Sequence, residues 1–180
     1  MTKAITKKDI ATKLEELKAL PGQDETGQYE VGSEDQQYAA RQVDVLLTEG
    51  VTADASLVAK VLLAMQDIQV RDYALGLANE ENFTHYQQTF KWLTKIAPPS
   101  CKNAPASILA ITYYESDEIT KAREALASVP NKEYSFARLL ERVFMTNWPT
   151  GAFAQMRSEL HPKVVAGIFG KEKTDDSNQA

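Results

Sequence analysis

The chain has 180 residues, enough for one domain that buries about 70 per cent of its unfolded surface. Hydrophobic residues make up 43% and charged residues 25%, near the averages of folded globular domains, which excludes wholesale disorder and fibrous classes. The net charge of −5, with six basic and ten acidic side chains in residues 1–50, argues against nucleic-acid binding, which needs a cationic surface to release counterions.

In chain order, Thr6 and Asp9 have the spacing of a capping box, and Ile10, Leu14 and Leu17 follow at i, i+4 and i+7. This predicts an N-terminal helix or tethered arm within residues 1–20. Residues 21–32 hold Pro21, Gly22, Gly27 and Gly32 with only Tyr29 and Val31 to bury, a linker or an ordered loop. Ser33 through Gln36 opens the next helix, with Tyr38, Val43, Leu46 and Leu47 on its apolar side and Gly50 as its stop. Asp54 or Thr52 caps a helix carrying Leu57, Val58, Val61, Leu62 and Met65. Asp67 caps another with Val70, Tyr73, Ala74 and Leu77.

Phe83, Tyr86, Phe90, Leu93 and Ala97 form one helical face, which predicts burial for the neighbouring Trp92, and Pro98-Pro99 ends it. Asn103 is the expected cap of a helix with Pro105 in its first turn and Ile108, Leu109, Thr112 and Tyr113 as its stripe. Ser116 is the expected cap of its partner, with Asp117 and Glu118 in a first turn favoured by the helix dipole and Ile119, Ala122, Ala125, Leu126 and Val129 running on to Pro130. A third helix puts Ala137, Leu140, Val143 and Phe144 on one side and Arg138, Glu141 and Arg142 on the other. Thr150 is the expected cap of a last substantial helix that His161-Pro162 breaks, and residues 170–180 read as a disordered tail. No alternating run of strand type interrupts this series.

No catalytic constellation emerges. Gly167 through Glu172 lacks the glycine spacing and the hydroxyl residue of a phosphate loop. Glu81 and His85 share a helix face, but a metal site needs more ligands than two. Cys101, the only cysteine, excludes an intrachain disulfide and reads as a free loop thiol. No run reaches the roughly 18 apolar residues of a membrane span, and residues 1–8 hold no hydrophobic signal core, so a cytoplasmic location is expected. The constellation with most to offer is Tyr113 and Tyr114 with Arg138 and Arg142. The two arginines stand at i, i+4 and would line a concave wall beside the tyrosines, suited to a carboxylate of a bound peptide.

Ala125, Leu126 and Pro130 resemble the end of a tetratricopeptide repeat, although the run from Ser116 is about one turn short and no second copy is present. A larger set of segments resembles an uncharacterised family of actinobacterial proteins: Val70-Arg71-Asp72, Trp92, Ala97-Pro98-Pro99, Ala104-Pro105-Ala106, Leu109-Ala110, Ala125-Leu126, Pro130 and Tyr134 through Leu140. The resemblance implies the C-terminal helical half of such proteins. The family's usual α/β half has no counterpart here, and its Gly-Asp between the hairpin helices is replaced by Ser116-Asp117.

The expectation is an all-α fold, a helical-hairpin bundle or array that is tetratricopeptide-like over residues 103–145, with its main domain over residues 33–169 and essentially no sheet. The expected function is protein–protein interaction or self-association without catalysis, metal or cofactor, and with no nucleic-acid or membrane partner. The alternative is a partner or remnant subunit of an enzyme system whose α/β half lies on another chain.

Overall fold

The computed structural model describes residues 4–170. Nine α-helices and one 3-10 turn account for 68% of these residues, and none of them forms a strand. In order they are α1 (Lys7–Leu17), α2 (Glu34–Glu49), α3 (Ala55–Ala64), α4 (Ile68–Gly76), α5 (Phe83–Ile96), the 3-10 turn Pro99–Cys101, α6 (Asn103–Glu115), α7 (Ile119–Ala127), α8 (Ser135–Met145) and α9 (Ala152–Phe169). The expected tail over residues 171–180 lies outside the described residues.

Helix α6 sits at the centre, buried continuously from Ala104 to Thr112 and again at Tyr114, because a run of Ala, Ser, Ile and Leu offers an apolar or small surface all round. Around it pack α5, α7, α8 and α9, while α1, α2 and α3 form a second group joined to α5 and α4. Ile10 is fully buried, so α1 is part of the bundle.

Residues 21–32 are an ordered strap. The Gln23 side-chain amide donates to the Leu63 carbonyl at 2.9 Å, and that of Gln28 donates to the Gln66 carbonyl at 2.8 Å while its oxygen accepts from the Ile68 amide at 3.0 Å. The Tyr29 amide donates to Asp67 Oδ2 at 2.9 Å. Asp67 also accepts from the Val70 amide as the cap of α4 and from the Gln36 side chain, so one buried carboxylate ties strap, α2 and α4 together.

The caps at Thr6, Ser33, Asp54 and Asp67 form as the sequence predicts. Three others do not. Asn103 lies inside α6, where its Oδ1 accepts from the Asn131 amide at 3.2 Å and fastens the start of α6 to the loop before α8. Ser116 donates back to the Thr112 carbonyl, and Asp117 turns the chain at φ 60, so α7 begins only at Ile119. Gly151, not Thr150, precedes α9.

The expected break at His161-Pro162 is also absent, since α9 runs through both. An internal proline costs a helix about 3 kcal/mol. Docking of Val164, Val165, Ile168 and Phe169 onto Ala40, Tyr73 and Leu77 offsets that cost, because burying such a side chain fully is worth about 1.5–3 kcal/mol. Trp92, expected in the core, is only half-buried, one position off the Tyr86–Phe90–Leu93 face that fills it.

Candidate functional site

The four residues singled out from sequence do not line one wall. Tyr114 is buried, its ring stacked on Phe144 of α8 at 4.6 Å and edge-on to Phe153 of α9 at 5.8 Å. Tyr113, about 100° further round α6, is half-buried beneath the Lys121 ammonium of α7. Arg138 and Arg142 stand on the far side of α8 from Phe144, both exposed. The groove between tyrosines and arginines is therefore not formed, because α8 turns its Ala137–Leu140–Phe144 stripe toward α6 and its arginines outward.

The arginines have other neighbours. The outer face of α8 also carries Leu139, 54% exposed, and Met145, 78% exposed, and the turn after the helix presents Trp148 at 43%. Leu139 and Met145 are separated by six residues, about 9 Å along the axis, with Arg142 between them. Arg138 pairs with Glu133 at 3.0 Å in a solvent-screened contact. Arg142 makes no ion pair among the described residues, and its position in the last turn suits the negative end of the helix dipole. The end of this face is fixed from the core: the Tyr114 hydroxyl donates to the Trp148 carbonyl at 2.6 Å.

Two of the segments that carry the family resemblance meet in space. The Arg71 guanidinium stacks over Phe136 at 4.3 Å, donates to the Tyr134 hydroxyl at 3.2 Å and grips Asp72 with two N–H groups. Three N–H groups of this buried arginine go to Asp72 and Tyr134, so the cluster ties the start of α8 to α4.

A cavity of about 570 Å³ opens between α9, the end of α6 and the loop after α4. Its charged floor is the Arg157–Glu115 pair, bidentate at 2.6 and 2.7 Å with both side chains nine-tenths buried. The two charges neutralise each other. His161, one turn on, packs its ring 5.5 Å from that of Tyr73, whose hydroxyl donates to Asp44. Burial lowers the imidazole's pKa against the opposing pull of the Asp44 carboxylate.

Cys101 is a free thiol in the 3-10 turn between α5 and α6, and it is buried. Burial pushes its thiol pKa up, against weak contacts from Ser100 and Gln66 that favour the thiolate. His85 hydrogen-bonds through Nε2 with the Leu47 carbonyl at 3.1 Å. Among the described residues no cluster of three or more His, Cys, Asp or Glu side chains is placed to hold a metal ion, and no helix is long and apolar enough to cross a membrane.

Leu139, Met145 and Trp148 escaped the sequence reading, which followed apolar residues only where they joined a stripe. The signal was present in their departure from it: Leu139 and Met145 fall on the polar side of α8.

No curated protein and no solved structure matches the chain. A family model does match, over residues 3–149, from just before α1 to the turn beyond α8, so the likeness takes in the three N-terminal helices as well as the segments that first suggested it. The chain belongs to the family described as Domain of unknown function (DUF4192).

Proposed function

We propose that the chain is a protein–protein interaction or assembly module of a bacterial cytoplasmic protein, without catalysis of its own, and that the outer face of α8 is its docking surface. One observation carries this: Leu139, Met145 and Trp148 stand exposed on and beside a helix whose inner face is already satisfied by the core, with Arg138 and Arg142 among them. Trp, Met and Arg are enriched where interfaces concentrate their binding energy, in an apolar centre with a polar rim. The tetratricopeptide-like hairpin of α6 and α7 supports the reading as a rigid backing, since α8 is held on it by the Tyr114–Phe144 stack. The partner chemistry that fits is an acidic segment with apolar anchors, its carboxylates meeting Arg138 and Arg142.

The test is recovery of partners from native lysate by the wild type and by a chain carrying Arg138→Glu and Arg142→Glu, after equal melting of the two is established. Both positions are exposed and off the core stripe, so the fold survives the reversal. Loss of a specific protein supports the docking surface. Identical partner sets would falsify it.

A further inference from the structure

Helix α9 is held by two separate bodies of packing. Its first half enters the main core through Phe153, with Met156 against it, and the Arg157–Glu115 pair fastens it to the end of α6. Its last two turns belong to another cluster. Val164, Val165, Ile168 and Phe169 close over Ala40 of α2 and Tyr73 of α4, and of these four only Ile168 is fully buried. Small satellite clusters of this kind bury little area beside that of the main core. Leu77 is packed against both bodies.

Pro162 stands exposed at the junction between the two halves. Having no N–H, it leaves the Ser158 carbonyl without the donor that the helix would otherwise supply, and helices bend at such positions. The seam of the second half is also incompletely satisfied. His161 Nδ1, close against the bare backbone of Gly76, and Gln69 Oε1, beside Gly167, are both buried without a hydrogen-bond partner among the described residues. Such groups regain partners from water when the seam opens.

A small buried area, a helical hydrogen bond missing at the junction and two unpaired polar groups along one seam mark a unit that opens on its own, below the free energy of global unfolding. We propose that the last two turns of α9, residues 163–169, are a hinged cover. They swing out about Pro162 while the first half of the helix stays docked, and they bare an apolar strip of Ala40, Tyr73 and Leu77. Opening breaks the edge-on contact of Phe169 with Tyr73 at 5.7 Å and lifts Phe169 from beneath the Arg41 guanidinium. The strip lies within the residues that the family model matches and its cover lies beyond them, so a segment outside the match regulates access to a surface of the family domain. The α8 face has no part in this device.

Native-state hydrogen exchange of the full chain, read amide by amide by NMR, tests the hinge. The amides of residues 164–169 are expected to exchange on the order of 100-fold faster than those of α6. Residues 156–160 of the same helix should exchange at least about tenfold more slowly than residues 164–169, because they lie on the docked side of Pro162. Pro162→Ala, at an exposed position, restores the missing N–H and should slow residues 164–169 by about tenfold or more while leaving α6 unchanged. Ile168→Ala empties the satellite cluster and should speed the same amides by about tenfold or more. Circular dichroism melts confirm folding, and Pro162→Ala carries the test alone should Ile168→Ala fail to fold. Exchange of residues 164–169 at the rate of α6, opening of residues 156–160 together with them, or an unchanged rate in Pro162→Ala overturns the inference.

Discussion

The Tyr114 hydroxyl donates to the Trp148 carbonyl while the Tyr114 ring lies flat on Phe144, at an interplanar angle of 3°, so one central side chain holds both the inner face of α8 and the turn that ends its outer face. Tyr114→Phe keeps the stack and removes the hydrogen bond. It should cost about 1 kcal/mol in urea denaturation, the usual net worth of such a bond. It should also raise amide exchange around Trp148, whereas Tyr114→Ala, which empties a packed core site, should cost about 3–5 kcal/mol, as aromatic-to-alanine changes do. Equal stabilities for the two variants would show that the ring contributes little.

Gly76 in α4 marks a second close approach. A Cβ at this position would fall within the space of the His161 imidazole, so α9 docks against bare backbone there. Gly76→Ala should therefore destabilise by about 1–3 kcal/mol, the range for overpacking, although alanine is the better helix former. Gly151→Ala, where an added Cβ meets nothing within 4 Å, is the control and should leave the unfolding midpoint nearly unchanged.

The same histidine gives a pH dependence. Burial holds the folded His161 pKa below its ordinary 6.5, so between those two values the unfolded chain binds more protons and folding weakens as pH falls. The Asp44 carboxyl is shifted upward from 3.8, chiefly by burial, with the Tyr73 hydrogen bond opposing; the folded state takes up that proton more readily, which gives a slope of opposite sign in the range just above 3.8. The melting temperature should fall as pH drops from 7 through 6.5, and His161→Gln should flatten that part of the curve. An unchanged slope in the variant would assign the effect to other groups.

Asp67 predicts the largest loss from a single polar side chain. Asp67→Ala removes the cap of α4 and leaves the Tyr29 amide and the Gln36 side-chain amide without their acceptor. A cap is worth about 1 kcal/mol and each stranded buried donor about 1–3, so a total near 3 kcal/mol or more is expected. Limited proteolysis should then cut within residues 21–32, which the wild type protects.

How much of this was legible in the sequence depended on how far a residue's partner lies along the chain. Thr6, Ser33, Asp54 and Asp67 were readable because a cap bonds to an amide three residues on. Asn103 looked the same but spends its oxygen on Asn131, and Gln23 and Gln28, ordinary loop residues to the eye, reach partners 38–40 residues away. Helical period made the all-α class plain and exposed Arg138 and Arg142 correctly. It did not say which of two adjacent tyrosines faces the core, since that choice belongs to the packing of α8 and α9 on α6. The passage of α9 through Pro162 was hidden for the same reason: the burial that holds it comes from α2 and α4.

The most direct test of the docking surface is site-specific photocrosslinking in the native cell extract, with a photoactivatable side chain at position 139 on the outer face of α8 and, in a separate chain, at the exposed Lys91 on α5. A protein adduct, to another copy or to a different chain, is expected from position 139 and not from position 91. No adduct from position 139, or the same adducts from both positions, would contradict the assignment of α8 as the surface through which this protein works.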